Sequence, residues 1–181
     1  MIYLVRHGDY NYREIASATV GQGLTARGRE QAQATATWLA GADSDIRSIQ
    51  SSDFTRAAET AAILATAFPL ANLEVGPKFR ECDDVYFKDT TRVPRSATET
   101  FDQLFGPAAS HPAPLVVVCH ANLIRYLLSR LLGWTRRKWA SVLIGNCSVS
   151  IVASQTVRKT EHRVLAVAKL QHLPARLRDE F

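Results

Sequence analysis

The sequence predicts an α/β domain: a three-layer sandwich with a mostly parallel central sheet, one antiparallel edge and a small lid. Two patterns carry that expectation. Short apolar runs alternate with segments of helical period, the signature of strand–helix units. One run, Leu115-Val116-Val117-Val118-Cys119, has no polar break, as expected at the centre of a parallel sheet buried on both faces. Size and composition agree. A chain of 181 residues, 46% hydrophobic and 22% charged, suits one domain with a buried core and leaves disorder unexpected. No internal repeat, low-complexity tract or linker divides residues 1–181.

Ile2 to Val5 opens the chain as a short strand, bounded by Gly8. Residues 8 to 24, polar with Gly21 and Gly23, follow as loop. Thr25 to Ala40 predicts a helix, with Thr25 as N-cap, Ala32, Ala36 and Leu39 on one stripe, and Gly41 just past its end. Gly28 is the one residue there that disfavours helix. Ile46 to Gln50 predicts a second strand. Asp53 to Phe68 predicts a helix with Ala57, Ala61, Leu64, Ala65 and Phe68 on one face, capped by Ser52 or Asp53 and stopped by Pro69. Leu73 to Val75 predicts a brief third strand. Residues 76 to 97 lack a period and hold Pro77, Pro94 and many charges, so they predict an ordered surface excursion. A short helix from Ala97 to Phe105 completes a small lid over about 76–106. Beyond a loop with Gly106, Pro107, Pro112 and Pro114, the central strand leads into a helix from Asn122 to Leu132, ended by Gly133. Ser148 to Ala153 and Val164 to Leu170 predict the antiparallel edge.

The formal net charge of +5 favours anionic partners. The basic residues are scattered, and the densest run, Arg136-Arg137-Lys138, is expected to be solvated surface rather than a nucleic-acid site. Cys82, Cys119 and Cys147 are odd in number and spaced like neither a zinc site nor a disulfide framework, which predicts a reducing compartment. The apolar start is too short for a signal peptide, and no stretch approaches the roughly 20 apolar residues of a membrane span. The expectation is a soluble cytoplasmic protein, with neither nucleic acid nor membrane as partner.

Two histidines stand directly beyond predicted strands: His7 after the first, His120 after the central one. Ligands of open parallel sheets bind in the crevice at the carboxyl ends of the strands, so both imidazoles are expected in one site. A neutral imidazole is a competent nucleophile toward phosphorus near pH 7 when its other nitrogen is held by a hydrogen bond. A phosphoryl group in transfer keeps its negative charge and needs fixed donors, for which the planar fork of arginine is suited. Arg6 adjoins His7, and Arg56 lies in the first turn of the second helix, facing the same crevice. The leaving oxygen needs a proton and water must later lose one; a carboxyl with a raised pKa performs both, and Glu81 is the candidate. Singly, each of these residues has an ordinary structural explanation. Their order and spacing are the signal.

Arg6-His7-Gly8 after a strand, Leu24-Thr25 with Gly28 and Gln31-Ala32, Ser51 through Ala61, Phe79-Arg80-Glu81, and Val117 through Asn122 together resemble the histidine phosphatase, or phosphoglycerate-mutase-like, superfamily. The resemblance covers roughly residues 1 to 170. It implies His7 as the phosphorylated nucleophile, Arg6, Arg56 and His120 as holders of the phosphoryl oxygens, Glu81 as proton donor, and neither metal nor organic cofactor. The stretch Cys119 to Leu127 looks most like the mitochondrial serine/threonine phosphatase branch. There Ala121-Asn122 replaces a more usual glycine, and Asn122 is expected both to donate to the phosphate and to cap its helix. With its first strand at Ile2, the chain is expected to lack the anchor and extension of that branch, as in many small bacterial members.

The leading expectation is a phosphomonoester phosphatase acting on phosphoserine or phosphothreonine proteins, since a small lid leaves the pocket open. A phosphatase for small metabolites or for phosphohistidine fits nearly as well. A mutase needs a closed, strongly basic pocket, and Arg92 and Arg95 on a short insertion supply little of one. A binding module without catalysis is the reading from another class, opposed by the presence of all four core residues. Expected partners are thus a phosphorylated protein or a small phosphorylated substrate, with self-association as a homodimer also considered.

Overall fold

The computed structural model describes residues 1–11, 22–82, 95–135, 138, 141–156 and 160–179. Six strands form one sheet: β1 (Ile2–Arg6), β2 (Ser48–Ser52), β3 (Asn72–Gly76), β4 (Leu115–Cys119), β5 (Val149–Thr156) and β6 (Thr160–Lys169). Their spatial order is β3-β2-β4-β1-β5-β6. The pairs β2–β3, β2–β4 and β1–β4 are parallel, while β1–β5 and β5–β6 are antiparallel. The predicted sandwich with one antiparallel edge is the observed architecture.

Alternation along the two central strands builds two cores. Ile2 and Leu4 of β1, with Leu115, Val117 and Cys119 of β4, face one side. There they meet α3 (Arg95–Phe105) and α4 (Ala121–Leu132) through Leu104, Leu123, Ile124 and Leu127. Tyr3, Val5, Val116 and Val118 face the other side. They meet Ala36 and Leu39 of α1 (Ala26–Ala42) and Ala57, Ala61 and Leu64 of α2 (Thr55–Ala65). Each Val, Leu or Ile side chain so buried stabilises the fold by roughly 1.5–3 kcal/mol. The period-2 strands and period-3.6 helices therefore lock each other's register.

Several boundaries differ from expectation. β2 ends at Ser52 rather than Gln50, because Ser51 and Ser52 are buried and the strand continues to pair despite its polar end. Neither Ser52 nor Asp53 caps α2; Phe54 holds the cap position without a side-chain bond. Ser52 Oγ instead accepts from the Phe54 N–H, at 3.3 Å. Asp53 is taken by the fork of Arg80, at 2.7 Å on both branches. α2 ends at Ala65, short of Pro69, and Gly41 lies inside α1, whose C-cap is Asp43. Thr25 caps α1 as expected, accepting from Gly28 N, and Gly133 ends α4 with φ 62° in the left-handed region. β5 and β6 are longer than predicted, because antiparallel pairing extends past the apolar positions. Arg92, most of the expected excursion and Arg136-Arg137 lie outside the described residues. No helix among the described residues is long and apolar enough to cross a membrane.

Candidate active site

Parallel pairing of β1 with β4 sets Arg6 opposite Cys119, so the next residues, His7 and His120, leave the sheet side by side. Their ring centroids are 5.1 Å apart. β2 pairs on the other side of β4 and ends at Ser52 in the same crevice, and α2 starts just beyond it, which brings Arg56 over the histidines. The four residues gathered from motifs distant in the chain meet at one place.

The backbone of His7 is pinned on several sides. Its N–H donates to the Cys119 carbonyl at 3.0 Å. Its own carbonyl accepts from Asn146 Nδ2 at 3.1 Å and from the Cys147 N–H at 3.3 Å. Cys147 adopts φ 54° to make that turn. The Gly8 N–H donates to Thr60 Oγ1 at 3.0 Å, and that hydroxyl donates to the Arg56 carbonyl at 2.7 Å. Gly8 and Gly28 meet backbone to backbone: a Cβ on Gly8 would lie 2.6 Å from the Gly28 carbonyl oxygen, and one on Gly28 would overlap the Asp9 carbonyl. The helix-disfavouring Gly28 is thus where α1 presses on the loop that carries His7.

Hydrogen bonds assign the tautomers. His7 Nδ1 is 2.8 Å from the Gly8 carbonyl, which can only accept, so Nδ1 carries the proton. Nε2 then holds a lone pair and accepts from Arg56 Nε at 3.2 Å. In His120, Nδ1 accepts from Arg56 Nη2 at 3.4 Å, and Nε2 donates to Ser52 Oγ at 2.9 Å. The Arg56 guanidinium also stacks over the ring of Tyr10, 4.6 Å from its centroid. Arg6 Nη1 donates to the Ile144 carbonyl at 2.6 Å, while its buried Nε meets no described acceptor.

Electrostatics follow from burial among cations. Burial foremost, then His120 and Arg6, hold the His7 pKa well below the ordinary histidine value. Burial, with Arg56 and Arg6, lowers that of His120 to about 3. Both rings are neutral near pH 7. Among the described residues neither Arg6 nor Arg56 forms an ion pair with a carboxylate, whereas eight other cations do. Two guanidinium charges facing two neutral imidazoles make a site that favours an anion.

Glu81 reaches this site through the N-terminus of α4. Its Oε1 accepts from the N–H groups of Cys82, Asn122 and Leu123 at 3.0, 3.1 and 3.1 Å. Among the described residues, Oε2 has only a longer approach from the Asn122 N–H, at 3.4 Å. Burial raises the carboxyl pKa, against the lowering by those N–H groups and by Arg6. With Oε1 saturated by donors, Oε2 is the oxygen positioned to carry a proton. Asn122 does not cap α4: that position belongs to His120, without a side-chain bond, and the first N–H groups of the helix are met by Glu81 instead. The Asn122 Oδ1 accepts from Arg125 Nη1 at 2.9 Å.

Sequence alone gives no role in this site to Ser52, Thr60 or Arg80, although all three fall within the motifs quoted above, and it does not mark Asn146 at all. Ser52 has the look of a helix cap, and Thr60 falls one turn after Arg56 on a helix face. Asn146 lies in an otherwise featureless turn. Arg80, by gripping Asp53, ties the segment that bears Glu81 to the start of α2.

The model of the histidine phosphatase superfamily (branch 1) matches residues 2–103 and 97–166. The chain is 28% identical over 96% of its length to the mitochondrial serine/threonine-protein phosphatase Pgam5 of Caenorhabditis elegans. It is 31% identical over 82% of its length to Pgam5 of Caenorhabditis briggsae. It spans 64% and 56% of those two relatives. Among solved structures, a mycobacterial glucosyl-3-phosphoglycerate phosphatase with inorganic phosphate shares the fold, with TM-score 0.73 and 21% identity, covering 96% of this chain and 99% of that one.

Proposed function

The chain belongs to the histidine phosphatase superfamily, branch 1, and on that premise we propose that it hydrolyses phosphomonoesters through a phosphohistidine formed on His7. One observation carries the reading: the proton of His7 is held on Nδ1 by the Gly8 carbonyl, leaving the Nε2 lone pair facing the donors of Arg56. When a phosphate monoester enters, its oxygens take over the N–H groups of Arg56 and accept from the buried Nε of Arg6. Nε2 attacks phosphorus, the bond to the ester oxygen breaks, and that oxygen takes the proton from Glu81. Water then attacks the phosphohistidine and passes a proton to the Glu81 carboxylate. The N–P bond breaks, and phosphate leaves with His7 again neutral. As the phosphoryl group draws the Arg56 N–H away from His120 Nδ1, Ser52 Oγ turns to donate to Nε2, the ring adopts the Nδ1–H tautomer and His120 donates to a phosphoryl oxygen, while the two guanidinium charges offset the charge of the transition state. Every step uses side chains of the chain itself, and we propose the reaction to be independent of metal.

For substrate we propose phosphoserine or phosphothreonine on proteins, which the Pgam5 relatives support. A small phosphorylated metabolite is the second reading, supported by the likeness to the mycobacterial glucosyl-3-phosphoglycerate phosphatase.

Rapid quench with ³²P-labelled substrate tests the intermediate. Label stable to base and labile to acid is expected on His7 and absent from His7→Ala. Label on His120 would overturn the assignment. Equal inactivity of wild type and His7→Ala across pH would leave only a binding module. Phosphopeptides assayed beside sugar phosphates decide the substrate class.

A further inference from the structure

We propose that Arg125 is a positioning residue of this site: it fixes the orientation of the Asn122 carboxamide, so that Nδ2 of Asn122 serves as a neutral donor to the substrate's phosphate. The inference rests on the phosphatase reading above and adds to it the residue that aims Asn122, the donor expected from the sequence.

Arg125 stands one turn into α4 from His120 and holds two acceptors at once. Its Nε donates to the Val142 carbonyl at 2.7 Å and its Nη1 to Asn122 Oδ1 at 2.9 Å. A guanidinium has donors and no acceptor, so the atom it meets on Asn122 must be the amide oxygen. The flip of that amide is settled by chemistry, and its NH₂ group occupies the branch turned away from Arg125. Asn122 lies two residues after His120, and its backbone N–H is held by Glu81. The backbone of Asn122 is therefore tied to the proton donor, two residues from the phosphate-binding histidine.

The second anchor ties this pair to the rest of the site. Val142 lies two residues before Ile144, whose carbonyl holds Arg6. Two residues further on, Asn146 holds the His7 carbonyl. One strip of backbone thus fixes Arg6, His7 and Arg125 relative to each other. Arg125 forms no ion pair with a carboxylate among the described residues, and its charge is felt from Arg6 and Glu81 across the site. A helix-surface pair three residues apart would need no such anchor on another segment.

A double-mutant cycle on the full chain tests the proposal, reading kcat/KM and the affinity for inorganic phosphate. Asn122→Ala and Arg125→Gln should each lower kcat/KM roughly 10- to 100-fold, the worth of one donor to a charged group. Because they remove the same donor, the double variant should be no more than about threefold worse than Asn122→Ala. Arg125→Lys, which still offers only donors, should recover part of the loss. Losses that multiply in the double variant would overturn the proposal. So would an Arg125→Gln enzyme within about threefold of wild type, or a folded Arg125→Lys as impaired as Arg125→Gln. If Arg125→Gln fails to fold, Arg125→Lys takes its place in the cycle. His7→Ala is run alongside: should it match an inactive wild type, the phosphatase reading fails, and phosphate affinity alone then decides the coupling of Asn122 and Arg125.

Discussion

Acid should destabilise this fold through its buried histidines, and replacing His120 should remove a measurable part of that sensitivity. The His120 ring is fully buried, and its pKa falls from 6.5 to about 3 by burial and the charges of Arg56 and Arg6. A histidine depressed in the folded state contributes stability that is present above pH 6.5 and lost as pH falls toward 3. Between those values the unfolded chain binds a proton that the folded chain refuses. At about 1.4 kcal/mol per pH unit, lowering the pH from about 7 to about 4 costs roughly 3 kcal/mol through this one ring. That is a large share of a typical total of about 5–15 kcal/mol. His7 acts in the same direction, so the comparison is made against His120→Asn, whose amide can still donate to Ser52. Urea unfolding of both proteins at three values of pH from neutral to acidic gives the slopes. Wild type should lose roughly 3 kcal/mol more than the variant by about pH 4. Parallel pH profiles would refute the argument, because they would mean that His120 takes up its proton in the folded state at no cost.

Two glycines of α1 should respond to alanine with opposite signs. Gly28→Ala drives a methyl group into the Asp9 backbone and should lower stability by more than about 1 kcal/mol, whereas Gly41 has open space around it, and Gly41→Ala should raise stability by about 0.5–1 kcal/mol. Thermal unfolding reads both, and a stabilised Gly28→Ala would refute the close approach of α1 to the His7 loop. Glu81→Gln should slow alkyl phosphates roughly 10²- to 10⁴-fold while sparing activated aryl phosphates; equal losses would mean that another group supplies the proton. Because burial raises the Glu81 pKa, the rate on alkyl phosphates should fall as pH rises through that raised value, and the variant should lack this basic limb.

The sequence by itself determined the layers and picked out most of the side chains of the candidate site. A short unbroken apolar run rich in β-branched residues reads as a strand covered on both faces, and Ala57, Ala61 and Leu64 share a face only as helix. Arg6, His7, Arg56 and His120 were legible because each adjoins the end of such an element, where a parallel sheet opens its crevice, and because their order and spacing match one set of motifs. What only the tertiary structure decided is how those groups are held. Ser52 orients His120, Thr60 and Asn146 pin the backbone around His7, and Glu81 rather than Asn122 meets the first N–H groups of α4. These contacts join residues far apart in the chain and depend on distances of a few tenths of an ångström. Periodicity records which face a residue occupies. It carries no record of which polar atom from another segment will meet it there, and the tautomer of an imidazole or the flip of an amide is set by that partner.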